Sequence, residues 1–217
     1  YFILFFFLTV FLSFYEAVTG TCNAYYAQYI LGNRDLCGAL SSFENIPQVI
    51  TVLILAPFLI RFGKRNVALI GAAAAVIGTV SLFFNPTSIS LSLFACVMRG
   101  IGKGCFRGAK YSMLADIIEY GAWKSGIRVQ GLVVSATTAG QKFGSGITNA
   151  AFGALMSMVG FAGTAVINAT QSAMLIRIYI IGNILAWGGI CILLLFYRLD
   201  KIYPRIIADM QAREAAE

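Results

Sequence analysis

The chain has 217 residues, 59% of them hydrophobic and 12% charged, with a mean hydropathy of +0.81 and a net charge of +7. A soluble domain averages about 25% charged residues, so the deficit excludes an ordinary water-soluble globule and points to lipid as the surrounding medium. His is absent and the five Cys are scattered without a CxxC pair, which argues against a zinc site and excludes a His-based catalytic triad; no enzyme activity, metal or organic cofactor is expected.

A spanning helix needs about 20 mostly apolar residues. Six segments qualify: 2–30, 42–60, 66–84, 89–112, 129–160 and 172–197. The first segment opens on Tyr1 with no basic flank before it and no cleavage-like stretch after it. It does not read as a signal peptide, and the chain reads as starting inside a longer protein. Turn signals lie between the segments at Gly32-Asn33, Gly63-Lys64, Asn85-Pro86 and Gly121. Ser41 and Glu44 form an S-x-x-E capping box that is expected to open the second span. The content of 22 Gly suits membrane helices, which use small residues for close packing.

Charge sets the expected orientation. Arg61, Lys64, Arg65, Lys110, Lys124, Arg128, Arg198, Lys201, Arg205 and Arg213 fall on one side, while the other side holds Arg34 and little else. By the positive-inside rule both ends lie in the cytoplasm, as an even number of spans requires. The cations therefore report topology rather than a nucleic-acid partner. The expected organisation is a six-helix transmembrane bundle over 1–198 and a cytoplasmic tail over 199–217, multi-pass in a bacterial inner membrane.

Three spans carry polar residues in register. In the fifth, Ser135, Thr138, Lys142, Ser145 and Asn149 follow steps of 3, 4, 3 and 4 and share one face. Lys142 is too deep to snorkel easily; it is either satisfied in a structural hydrogen-bond network or lines a cavity and meets a substrate or a carboxylate. In the fourth, Arg99, Lys103, Arg107 and Lys110 form a cationic stripe. Lys110, and with it Arg107, is read as able to snorkel to the cytoplasmic surface, and the stripe is either topology plus one internal ion pair or a wall that attracts anions. Gly100, Gly104 and Gly108 adjoin it at a spacing that allows close helix contact. In the first, Thr9, Ser13, Glu16, Gly20 and Asn23 share a face. Glu16 is the one carboxylate read as mid-span, and it could pair with Lys142, Arg99 or Lys103, bind a cation or take a proton. Arg177 is read as snorkelling near the outer end of the sixth span. Inward polar stripes on several helices are the pattern of a transporter.

The run from Ala115 to Gly131 contains Asp116, Tyr120, Gly121, Lys124, Gly126 and Arg128 at set intervals. It closely resembles the A-D-x-x-x-Y-G-x-x-K-x-G-x-R signature of the glycoside–pentoside–hexuronide cation symporters, and the likeness continues through Lys142, Gly144, Gly153, Leu155, Gly160 and Phe161. The resemblance implies an all-α integral membrane protein, the C-terminal six-helix bundle of a major-facilitator fold. It also implies alternating access, a sugar bound between two bundles, and the N-terminal six-helix bundle as partner. It places Lys142 and Thr138 in the substrate region, with Arg107, Lys103 and Glu16 as further candidates. Asp116, Tyr120, Lys124 and Arg128 become a cytoplasmic gate network. The coupling cation, Na+ or H+, is expected to sit mainly on carboxylates of the first half. One departure is Arg107, where the family's best-known member has a tryptophan against the sugar. A guanidinium there favours an anionic sugar such as a uronide. Two other readings stand beside this one: transport of a lysophospholipid, which needs a long apolar groove, and a membrane scaffold that transports nothing.

Overall fold

The computed structural model describes residues 1–125, 130–161, 167–200, 202–203, 206–207 and 209. Among them the chain forms seven helices and no strand: α1 (Phe2–Tyr29), α2 (Leu36–Ile54), α3 (Ala56–Phe62), α4 (Lys64–Ser81), α5 (Ile89–Ser125), α6 (Gln130–Met158) and α7 (Ala169–Phe196). Four of these, α1, α2, α5 and α7, are long and apolar enough to cross a membrane by length and composition.

The seventh helix comes from a break in the expected second span. Pro57 has no N–H to donate and sits in the first turn of α3, which restarts the helix after Leu55. The capping-box expectation fails. The helix begins well before Ser41, at Leu36 with Asp35 as its N-cap, so Glu44 is a mid-helix residue and not a cap. A capping box does open α7, built by Asn168 and Gln171. Gly63 links α3 to α4 at φ 81°, in the left-handed region that Gly adopts without a Cβ clash.

Packing divides the helices into two groups. α1 packs on α6 and α7, α5 packs on α2 and α4, and α4 on α7 joins the groups. One apolar core gathers around Tyr15, Phe106, Met113 and Trp187, the other around Leu40, Tyr26, Cys96 and Tyr179. Gly100, Gly104 and Gly108 bring α2 flat onto α5. A Cβ on Gly100 would lie 2.2 Å from the Glu44 carbonyl oxygen, and one on Gly104 would lie 2.8 Å from that of Gln48. Outward, Leu53, Ile60, Ile70, Ile77, Leu185 and Ile192 are exposed large apolar residues, the surface of a protein solvated by lipid.

Several of the described residues beyond 198 pack on the bundle. Leu199 and Ile206 are fully buried. Asp200 accepts a hydrogen bond from the Arg65 backbone N–H at 2.9 Å, and the Arg65 guanidinium donates to the Leu194 and Leu195 carbonyls at 2.8 Å each. Arg65 thereby satisfies carbonyls that the end of α7 leaves open.

Candidate functional site

Two clefts open on the face formed by α1, α2, α3, α5 and α6. The larger, about 590 Å³, is lined by Glu16, Gln48, Arg107, Lys110 and Gln141 among apolar residues of α2 and α3. The smaller, about 400 Å³, is lined by Ser13, Glu16, Gln141, Lys142, Ser145 and Asn149. Glu16 and Gln141 line both, so the two clefts meet across one carboxylate and one amide.

The polar stripe of α6 lands on an exposed face. Thr138, Lys142 and Asn149 are exposed, and Ser145 is half-buried. Among the described residues the Lys142 ammonium makes no hydrogen bond or ion pair. Asn149 accepts from the Thr21 hydroxyl at 3.0 Å, which ties α6 to α1 at one end of the smaller cleft. Thr138 lies on the same face as Lys142 but lines neither cleft, and its hydroxyl bonds to the Val134 carbonyl of its own helix at 3.2 Å.

The cationic stripe of α5 divides by depth. Arg107 donates to the Glu16 carboxylate, with side-chain exposures of 41% and 33%. Glu16 therefore pairs with Arg107, not with Lys142, Arg99 or Lys103. Lys110 is 5% exposed and lines the larger cleft, so it does not snorkel to the surface as expected. Lys103 lines neither cleft; its ammonium lies 3.1 Å from the buried Glu44 carboxylate. Arg99 is fully buried and donates to the Tyr179 hydroxyl at 2.6 Å, and Tyr179 donates to Asn23 at 3.0 Å. Arg99 and Lys103 thus tie α5 to α7 and α2 behind the clefts. Glu44 was missed as a second mid-span carboxylate because its spacing from Ser41 read as a cap. The signal that finds it is Glu44, Gln48 and Thr51 at steps of 4 and 3 along α2. Gln141 was missed because it lies one residue off the stripe of α6.

Among the described residues the expected gate residues engage different partners. Lys64 of α4 donates to both carboxylate oxygens of Asp116, at 2.7 and 2.6 Å. Tyr120 packs edge-on against Tyr1, and Lys124 lies 6.0 Å from the Tyr120 ring centroid. Arg128 lies outside the described residues. Glu119 accepts from the Tyr203 hydroxyl, and the Trp123 indole donates to Asp209 at 3.2 Å. Burial, and then the Glu119 carboxylate, push the Tyr203 phenol well up, so it keeps its proton as the donor. Asp116 and Glu119 are held by α4 and the tail rather than by Lys124.

A bundle of long apolar helices with a cation-lined cleft is the architecture of a multi-pass membrane protein. Residues 1–201 match the family described as MFS/sugar transport protein, and the chain belongs to that family. It is 30% identical over 202 residues to the isoprimeverose transporter of Lactiplantibacillus pentosus, covering 90% of this chain and 41% of that protein. It is 27% identical over 199 residues to a protein of Escherichia coli K12 named as a candidate sulfoquinovose importer, covering 90% and 42%. With the glucuronide carrier protein homolog of the same organism, the identity is 29% over 127 residues, covering 58% and 28%. The chain spans about two fifths of the length of the first two relatives.

Proposed function

We propose that this chain is the C-terminal six-span bundle of a major-facilitator symporter that moves an anionic sugar or glycoside with a cation, Na+ or H+, by alternating access. In this reading α2 and α3 cross the membrane together as one span, and both ends lie on the cytoplasmic side of a bacterial inner membrane. A second bundle closes the exposed face of α6, and the coupling cation binds mainly to carboxylates of that bundle. Asp116, Tyr120, Lys124 and Arg128 lie at the cytoplasmic gate.

The observation that carries the anionic reading is the charge of the clefts. Arg107, Lys110 and Lys142 line them against the single carboxylate of Glu16. Arg107 engages Glu16, so the lining holds three cations against one carboxylate. Partly desolvated cations attract a carboxylate or sulfonate far more than a neutral pyranose. Two of the relatives bear the names of anionic sugars, a glucuronide and sulfoquinovose.

Labelling tests the placement. In the complete transporter with its native Cys replaced, Ser145→Cys puts a thiol in the smaller cleft. A glucuronide is expected to protect it from a maleimide, with weaker protection of Thr138→Cys one turn outside the lining. Protection by neutral glycosides alone contradicts the reading.

A further inference from the structure

Away from the clefts, the bundle leaves an apolar trench between α6 and α7 with α1 as its floor. Two hollows make it up. One, about 320 Å³, lies beside Cys22, Phe152 and Leu155; the other, about 570 Å³, lies beside Phe11, Ile147 and Ile192. Phe14 and Leu185 line both, so the hollows run together. The trench exists because α6 and α7 each pack closely on α1 but scarcely on each other. Gly144 lets α6 approach α1 to where a Cβ would lie 2.6 Å from the Val10 carbonyl oxygen, and Gly189 of α7 sits under the Phe11 ring. Thr148 and Leu155 of the trench wall lie on a different face of α6 from Lys142, Ser145 and Asn149.

One charged side chain enters this lining, Arg177 of α7. It is exposed and, among the described residues, makes no hydrogen bond or ion pair. It is the ninth residue of a 28-residue helix, so its Cα lies about 12 Å from one end of a rod about 42 Å long. A bilayer has a hydrocarbon core of about 30 Å within a total of about 40–45 Å. Arg177 therefore starts just inside the hydrocarbon boundary, and its guanidinium reaches the level of the headgroups. The Thr148 hydroxyl is engaged by the Gly144 carbonyl at 2.6 Å. A ligand that fits must offer one anionic group at Arg177 and hydrocarbon along the rest.

We propose that this trench binds an anionic glycerophospholipid, with the phosphate on Arg177 and one acyl chain lying along α1 between α6 and α7. A guanidinium receives a phosphate through paired N–H donors, and the trough supplies dispersion contacts that the bulk bilayer would otherwise make with a gap. The lipid wedges two helices that touch mainly through α1, and its binding is independent of the transported cargo.

Gly188 gives a clean test. It lines the wider hollow, and a Cβ there meets nothing within 4 Å, so Gly188→Leu fills the trench without a clash. The experiment is native mass spectrometry of the complete transporter with dioleoylphosphatidylglycerol or dioleoylphosphatidylcholine. The wild type is expected to retain the glycerol lipid preferentially. Arg177→Ala is expected to lower that retention about fivefold and abolish the preference. Gly188→Leu is expected to lower retention of both lipids. Unchanged retention and preference in Arg177→Ala overturns the proposal, whatever Gly188→Leu does.

Discussion

The Arg107 guanidinium on α5 donates to the Glu16 carboxylate on α1, and that carboxylate is shared by both clefts. The pair joins two helices across the site while leaving each group partly exposed. Under the proposed anionic reading, the substrate competes with Glu16 for Arg107. Glu16→Gln removes the competitor and makes the clefts more positive. The expected result in the complete transporter is a severalfold lower KM for an anionic sugar, with little change in thermal stability, because both groups are partly solvated. Measured uptake kinetics check this; a raised KM would mean that Glu16 itself holds the sugar.

Behind the clefts, Lys103 and Glu44 are 9% and 3% exposed. Lys103→Met strands the Glu44 carboxylate and is expected to cost about 3–5 kcal/mol. Combining it with Glu44→Leu removes both charges and is expected to recover most of that loss. Thermal unfolding of the purified protein separates the cases. If the double variant is no more stable than Lys103→Met, the pair does not act as a unit.

Much of the fold is legible as hydropathy. The expected spans 2–30 and 172–197 correspond to Phe2–Tyr29 and Ala169–Phe196, because long, predominantly apolar runs mark their own ends. The span 42–60 is less so, since a Ser–Glu spacing imitates a cap and Pro57 splits the rod. In the site, periodicity brings out Glu16, Arg107 and Lys142 as members of polar faces. It does not say which face opposes which. The partners Glu16–Arg107, Lys103–Glu44 and Lys64–Asp116 depend on how each neighbouring helix is turned against α5, a tertiary property with no local signature.

The glycine contact is itself testable. Gly100→Ala forces a methyl against the Glu44 backbone, whereas Gly146→Ala meets open space. Overpacking of this kind costs about 1–3 kcal/mol, so Gly100→Ala is expected to lower the melting temperature clearly and Gly146→Ala to leave it nearly unchanged. Equal effects would mean that α2 does not lie on this face of α5.

Lys64 and Asp116 join α4 to the far end of α5, with the Asp116 side chain 2% exposed. If this lock belongs to a gate, Asp116→Asn lowers turnover severalfold and leaves the sugar KM unchanged, and the exchanged pair Lys64→Asp with Asp116→Lys restores turnover. Transport kinetics in vesicles distinguish this from a substrate contact, for which KM would rise.

The most direct test is cation-driven uptake by the complete transporter in vesicles, comparing a glucuronide with a neutral glycoside in the wild type, Lys142→Ala and Arg107→Trp. Preferential uptake of the glucuronide, lost in Lys142→Ala and shifted toward the neutral glycoside in Arg107→Trp, is the predicted result. Equal uptake of both sugars in the wild type, unaffected by Lys142→Ala, would contradict an anion-binding site in these clefts.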